Sequence, residues 1–241
     1  MSLLKNHNVS PLTSVFQKSI FIWIDILGFS DALEDETSYK ELSENLEIFQ
    51  SHFNTCEEFD TRLISDGLVL YIINPRPSNF KKILSIVGKK QIEFILETNQ
   101  FIRGGIAIGT KYESQNDNSQ NIFISNGLAR AVKIESQIVN WPIIGTDSKN
   151  LTEIKNNFNI SEDDFNLNIC RCLNKRGEDV YFIDFLNHLE DKHKYYSLLS
   201  SKIEEFSKKP VVRDKYIWLL KYLKHRFEKT NTPDSIEGIV L

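Results

Sequence analysis

The sequence predicts an α+β fold, a mostly antiparallel sheet with helices packed on it, followed by a C-terminal extension of one β-hairpin and further helices. Three observations predict it. Short β-rich runs alternate with segments of helical periodicity between Ser19 and Gly145. Asp66–Gly67 joins two of those runs as a hairpin, which makes neighbouring strands antiparallel. Beyond Thr146 two more β-rich runs precede two long helix-prone segments, so the chain divides into residues 15–147 and an extension over 148–241.

Composition bounds the function. The 241 residues can bury a substantial core. With 29 Lys+Arg against 33 Asp+Glu the formal net charge is −4, which excludes a coat for nucleic-acid polymers and permits a local basic pocket for a single nucleotide. Cys56, Cys170 and Cys172 are odd in number and form no C-x-x-C pair, so neither a disulfide framework nor a zinc site is supported. The N-terminus carries no basic-then-apolar leader, and no apolar run approaches the ~20 residues that span a bilayer. A cytoplasmic protein with no membrane and no nucleic-acid polymer as partner is expected.

Residues 1–18 are a polar lead-in. Ile20 to Ile24 is an unbroken run of β-formers, a strand buried on both faces, and it ends in the carboxylate of Asp25. Gly28 turns the chain just past the strand, and Phe29–Ser30 begins a helix with Ser30 or Asp31 as N-cap. Tyr39, Leu42, Leu46, Phe49 and Phe53 recur at helical spacing, giving a helix over 38–52. The hairpin strands are Asp60–Ser65 and Leu68–Ile73; the prolines at 75 and 77 stop the second, and a helix follows from about Ser78 to Asn99. Phe101–Gly109 is a buried strand with close backbone approach at Gly104–Gly105.

Thr110–Asn121 is polar and reads as a surface loop. Phe123–Val139 returns to helical periodicity, and Pro142–Gly145 is a further strand. The order strand, helix, hairpin, helix, strand, helix, strand fits a ferredoxin-like sheet with helices on one face. In the extension, Leu167–Leu173 and Asp179–Ile183 flank the turn at 174–178, helices follow over Phe185–Ser207 and Val211–Lys229, and residues 231–241 read as a weakly ordered tail.

Chemistry concentrates at the strand ends. Burying an unpaired carboxylate costs several kcal/mol, so Asp25 calls for a cation, a Lys or Arg, or backbone N–H groups. Asp66 stands at the hairpin tip in the same half of the chain. Held close together, the two could clamp one or two hard cations against a triphosphate. Each also has an ordinary reading, Asp25 as a helix cap and Asp66 as a turn residue.

The residues carry a resemblance at this point. DILGFS at Asp25–Ser30 resembles the D-I-x-G-F-[ST] motif of class III nucleotide cyclases, and Ile64-Ser65-Asp66 resembles their second metal-aspartate hairpin. Arg103-Gly-Gly-Ile106 through Gly109 is similar to the R-x-G-I-x-x-G strand, and GLARAVKIES at Gly127–Ser136 to the helix G-x-x-V-N-x-A-x-R-x-E-S, in the same order and spacing. Departures point away from purine substrates. The transition-state asparagine position falls on Ala129, the arginine one turn later on Lys133, a base-reading position on Ile122, and the base-reading lysine before the second aspartate on Arg62. The chain resembles most the pyrimidine cyclases of bacterial Pycsar antiphage defence, including Tyr181–Leu186 and Arg213–Trp218 in the extension, although Trp141–Ile144 departs from their Y-P-R-I.

The resemblance implies an enzyme that converts UTP or CTP to a 3′,5′-cyclic nucleotide and pyrophosphate. It implies two Mg²⁺ or Mn²⁺ ions on Asp25, Asp66 and the Ile26 carbonyl, and phosphates cradled by Leu27, Gly28, Phe29 and Ser30. Arg62 would contact base or phosphate. Lys133 would stabilise transition-state charge, or else be a solvated helix residue; Arg103 would bind phosphate, or else form a structural ion pair. A head-to-tail homodimer and a separate effector that reads the product are implied as well. Three rival readings are a catalytically degenerate domain that binds NTP, an interaction protein in which both aspartates are structural, and a purine cyclase.

Overall fold

The computed structural model describes residues 17–34, 36–54, 56–73, 75–113, 123–161, 168–227 and 239–240. In chain order the elements are β1 (Gln17–Ile26), α1 (Phe29–Ala32), α2 (Tyr39–Asn54), β2 (Asp60–Ile64), β3 (Gly67–Ile73), α3 (Pro77–Thr98), β4 (Ile102–Glu113), β5 (Phe123–Ser125), α4 (Asn126–Gln137) and β6 (Ile144–Asp147). They continue with α5 (Ser148–Phe158), β7 (Ile169–Leu173), β8 (Asp179–Ile183), a 3-10 turn at Phe185–His188, α6 (Lys192–Glu205), α7 (Pro210–Phe227) and β9 (Ile239–Val240).

The apolar run of β1 feeds two separate cores. Ile20, Ile22, Ile24 and Ile26 belong to one apolar cluster, while Phe21, with Trp23 packed at its margin, belongs to the other. A continuous apolar strand is what burial on both faces requires. The helices accordingly cover both faces of the sheet, where the element order had suggested one. Leu42, Phe49 and Phe53 of α2, Phe80 and Ile83 of α3, and Leu151 and Ile154 of α5 fill the first core. Ala131 and Ile134 of α4, Tyr195 of α6 and Leu219 and Tyr222 of α7 fill the second.

β1 lies between β3 and β4, antiparallel to both, and the sheet runs β2-β3-β1-β4-β6-β8-β7-β9 with β5 paired to β4. Among the described residues only β4 and β6 pair in parallel. The hairpin of the extension, β7–β8, therefore adds to the same sheet through β6.

Helix α4 lies directly on β4 and β1, and glycine makes that approach possible. A Cβ added at Gly105 would stand 2.0 Å from the Ala131 carbonyl oxygen. Gly105→Ala therefore has to push α4 off the sheet, and we expect a loss of about 1–3 kcal/mol or more, read as a lowered urea midpoint.

Several elements differ from their sequence reading for local reasons. Thr110–Glu113 extends β4, because Thr110 and Lys111 still find partners on β1, and the remainder of the expected loop lies outside the described residues. Residues 123–125 are a strand; the helix begins at Asn126 because the Ser125 hydroxyl accepts from the Leu128 N–H at 3.1 Å, an N-cap bond. Helix α5 had no counterpart in the sequence reading, although Asp147, whose carboxylate accepts from the Asn150 N–H at 2.6 Å, caps it and Leu151 and Ile154 give it an apolar side. The first helix of the extension is broken into a 3-10 turn and α6, which Asp191 caps at Lys194. Of the expected tail, residues 231–238 and 241 lie outside the described residues, and Ile239–Val240 pair with β7.

Candidate functional site

Sheet register assembles the charged residues. Asp25 is paired with Gly67 of β3 on one side and Arg103 of β4 on the other, so Asp66, immediately before Gly67, stands beside it. The two carboxyl groups are within hydrogen-bonding reach, and the Asp25 carboxyl is pushed up to about 7. Burial is the largest cause, followed by the negative charges of Asp66 and Glu135, opposed by the Arg103 guanidinium, with the Asp66 hydrogen bond adding to the rise. Two like charges held this close resist joint ionisation, which adds to the rise at Asp25.

The hairpin tip is built for that placement. Ser65 and Asp66 form a two-residue turn between Ile64 and Gly67, and Ser65, not Gly67, carries the positive φ, 56°, as in a type II′ turn. Gly67 is needed for another reason. A Cβ there would lie 2.0 Å from the Trp23 ring, which covers the backbone next to Asp66.

Arg103 forms an ion pair with Glu135 of α4, one of the two readings its position left open. Glu135 is 5% exposed, and burial raises its carboxyl pKa against the pull of Arg103. Arg62 of β2 pairs with Val69, which pairs with Trp23, so alternation along the strands puts Arg62 on the same sheet face as Asp25.

Past β1 the expected phosphate cradle is partly committed elsewhere. The Leu27 N–H donates to the Phe101 carbonyl at 2.8 Å, so that amide belongs to the sheet, and Leu27 contributes its side chain only. By the same alternation the Ile26 backbone groups point away from β4, to the side where Asp66 stands. Gly28 has φ 81° and is the N-cap of α1, in place of Ser30 or Asp31. The first bonds of α1 run from Ala32 N–H to Gly28 O and Leu33 N–H to Phe29 O, which leaves the preceding amides outside the helix ladder. The Phe29 side chain is core; Ser30 lies within α1.

Lys133 stands apart. It is exposed on α4 and lines a separate cleft of about 390 Å³ with Arg130, Lys149 and Asp147, none of which belongs to the carboxylate site. Ala129 is exposed on the same helix.

Asp25 and Asp66 fit a divalent cation, since a positive charge between them would offset the burial and the repulsion that together raise the Asp25 carboxyl. Among the described residues no group of three or more His, Cys, Asp or Glu could hold a metal ion. No described helix is long and apolar enough to cross a membrane. Sequence reasoning missed two charged residues here, Glu135, and Lys215 of α7, which faces Arg103, Glu135 and Asp31. Glu135 was visible within the helix motif at 127–136; nothing local to Lys215 announces it.

No family profile matches the sequence, and no curated protein matches it. Solved structures do. The adenylyl cyclase CyaB from P. aeruginosa superposes with a TM-score of 0.50 at 15% identity, over 71% of this chain and 96% of that one. The catalytic core of a rhodopsin-guanylyl cyclase with converted specificity, in complex with ATPαS, gives 0.49 at 12% identity, over 70% of this chain and 96% of that one. The fold is that of a class III cyclase catalytic domain.

Proposed function

We propose that this chain is a class III nucleotide cyclase and, within that family, a pyrimidine cyclase that converts UTP or CTP to the 3′,5′-cyclic nucleotide and pyrophosphate. The observation that carries this reading is the adjacency of Asp25 and Asp66 on a class III cyclase fold, with the Asp25 carboxyl raised to about 7. Strand alternation, which turns the Ile26 backbone toward the Asp66 side, is consistent with the ligand set the resemblance implies, in which Asp25, Asp66 and the Ile26 carbonyl would hold two Mg²⁺ or Mn²⁺ ions. When bound, these supply acidity to the ribose 3′-hydroxyl and neutralise phosphate charge as pyrophosphate departs. Asp25 would release its proton to solvent as a cation binds, and its carboxylate and that of Asp66 would then be the anionic ligands that fix the cation. The amides of Gly28, Phe29 and Ser30 are the cradle for the phosphates.

Arg62 shares the sheet face of Asp25 and occupies the position that reads a purine base in the relatives the sequence resembles. It is assigned to the pyrimidine base or the phosphates. Lys133 lines a separate cleft, so its assignment to the developing charge requires the head-to-tail homodimer, in which one copy would present the carboxylates and its partner Lys133. The antiphage role, with a separate effector that reads the cyclic product, rests on the sequence resemblance, as does the assignment of residues 15–147 as the catalytic segment. Ala129 in place of an asparagine favours one alternative, a domain that binds NTP without turning it over.

Purified protein incubated with each of the four NTPs and Mn²⁺ or Mg²⁺, with products read by mass spectrometry, tests this. One cyclic pyrimidine nucleotide is expected, absent in Asp25→Ala and Asp66→Ala. A cyclic purine would overturn the base assignment, and NTP binding with no pyrophosphate release would leave the non-catalytic alternative.

A further inference from the structure

Beside the carboxylate site a cleft of about 440 Å³ opens between the turn after β1 and the two C-terminal helices. Leu27, Gly28 and Asp31 form one wall; Lys202 of α6, Lys209 at the α6–α7 junction and Lys215 of α7 form the other. The basic side outweighs the acidic one. Lys202 is satisfied by Glu205 at 3.0 Å, so the charge left over belongs to Lys209 and Lys215 against Asp31.

We propose that this cleft binds the triphosphate tail of the nucleotide, and that Lys215, supplied by the C-terminal extension, is a substrate-binding residue; the proposal rests on the cyclase reading above for the identity of that tail. Lys215 has no ion-pair partner within 4 Å among the described residues, yet it is only partly exposed. Burial disfavours its ammonium charge, the positive charges of Arg103 and Lys175 add to that, and Glu135 and Asp31 offset it only in part. A polyanion in the cleft supplies the missing partner. The wall opposite is the Gly28 turn, which follows directly on the strand that ends in Asp25, so a polyphosphate whose reacting end lies at Asp25 and Asp66 has its free end directed to the lysines. Ammonium groups on long stems suit such a tail, since they follow a flexible anion without fixed geometry.

The extension then completes the substrate site. This gives α6 and α7 a role in binding, beyond their part in the second core.

The test has a binding arm and a kinetic arm. Inorganic tripolyphosphate is titrated calorimetrically into the full chain in EDTA, and we expect binding that Lys215→Gln weakens at least tenfold, Lys215→Arg largely restores, and Lys89→Gln, an exposed lysine on α3, leaves unchanged. In the cyclase assay Lys215→Gln should raise KM for the NTP about tenfold with a smaller change in kcat. Tripolyphosphate binding that depends on Lys215 in a protein that makes no cyclic nucleotide would uphold the anion site and sink the cyclase reading. An active cyclase whose KM and tripolyphosphate affinity ignore Lys215→Gln would do the reverse. Loss of the folded circular dichroism spectrum in Lys215→Gln transfers the test to Lys209→Gln, for which the same weakening is expected and whose absence overturns the proposal.

Discussion

On the cyclase reading proposed above, Asp25→Asn is expected to abolish cyclic-nucleotide production and at the same time to make the metal-free protein more stable at neutral pH. The loss of activity follows from removing one of the two carboxylates, and a metal-dependent charge effect of several kcal/mol corresponds to about a thousandfold or more in rate. The gain in stability follows from the raised carboxyl. In the unfolded chain Asp25 returns to its ordinary value of 3.8, whereas the folded protein holds it at about 7. Between those values the folded state binds more protons than the unfolded state, so rising pH weakens the wild type across that window and the cost is complete above it. Asparagine carries no such cost. The stability difference should be near zero below pH 4, grow through pH 4–7, and reach about 1–3 kcal/mol at pH 8, given that one pKa unit is worth ~1.4 kcal/mol and that the group is partly hydrated. Urea melts of both proteins at pH 4, 6 and 8 measure it. Equal stability at all three values would mean that neither burial nor the charges of Asp66 and Glu135 raise the Asp25 carboxyl. Mg²⁺ should stabilise the wild type and not the variant, with an affinity that rises with pH up to about 7 as the proton is displaced.

Arg103→Met will destabilise the fold by about 3–5 kcal/mol at pH 8, the cost of leaving one member of a buried ion pair alone. Glu135 is the member left behind; its side chain is 6% exposed, and Arg103 is the largest influence holding its carboxyl down against burial. The sign with pH is fixed by Glu135. Without the guanidinium it stays protonated to higher pH in the folded state, so the variant should be nearly as stable as the wild type at pH 4–5 and lose ground as pH rises. Arg103→Met combined with Glu135→Gln should recover most of the loss, since the amide has no charge to strand. A cycle of both single variants and the pair isolates the coupling. A double variant no better than Arg103→Met would place the cost in packing. Because Arg103 also lowers the Asp25 carboxyl, its removal should shift the pH dependence of Mg²⁺ binding upward.

Much of this was legible in the chain itself. The apolar run at 20–24, the Asp-Gly hairpin and the β-runs at 101–109 and 179–183 specified the antiparallel core, because strand formation in these places needs only β-branched and aromatic residues bounded by turn residues. The adjacency of Asp25 and Asp66 was implied by the motifs at 25–30 and 64–66. The sequence also identified Gly104–Gly105 as a close approach. What it could not supply was which surface approached: α4 lies there, and only the packed sheet reveals that the second core occupies that face.

Three features belong to tertiary structure alone. Gly67 reads as a turn glycine, but Ser65 takes the positive φ and Gly67 makes room for the Trp23 ring, a contact between residues 44 positions apart. Arg103 has two local readings, and the choice of Glu135 as partner depends on where α4 docks. Lys215 lies 190 residues from Asp25 and comes near it because α7 lines one cleft together with the turn that follows β1. Local propensity and pattern determine which segments become strands and helices; which charges meet is decided by sheet register and helix docking, and those depend on the whole apolar core closing at once.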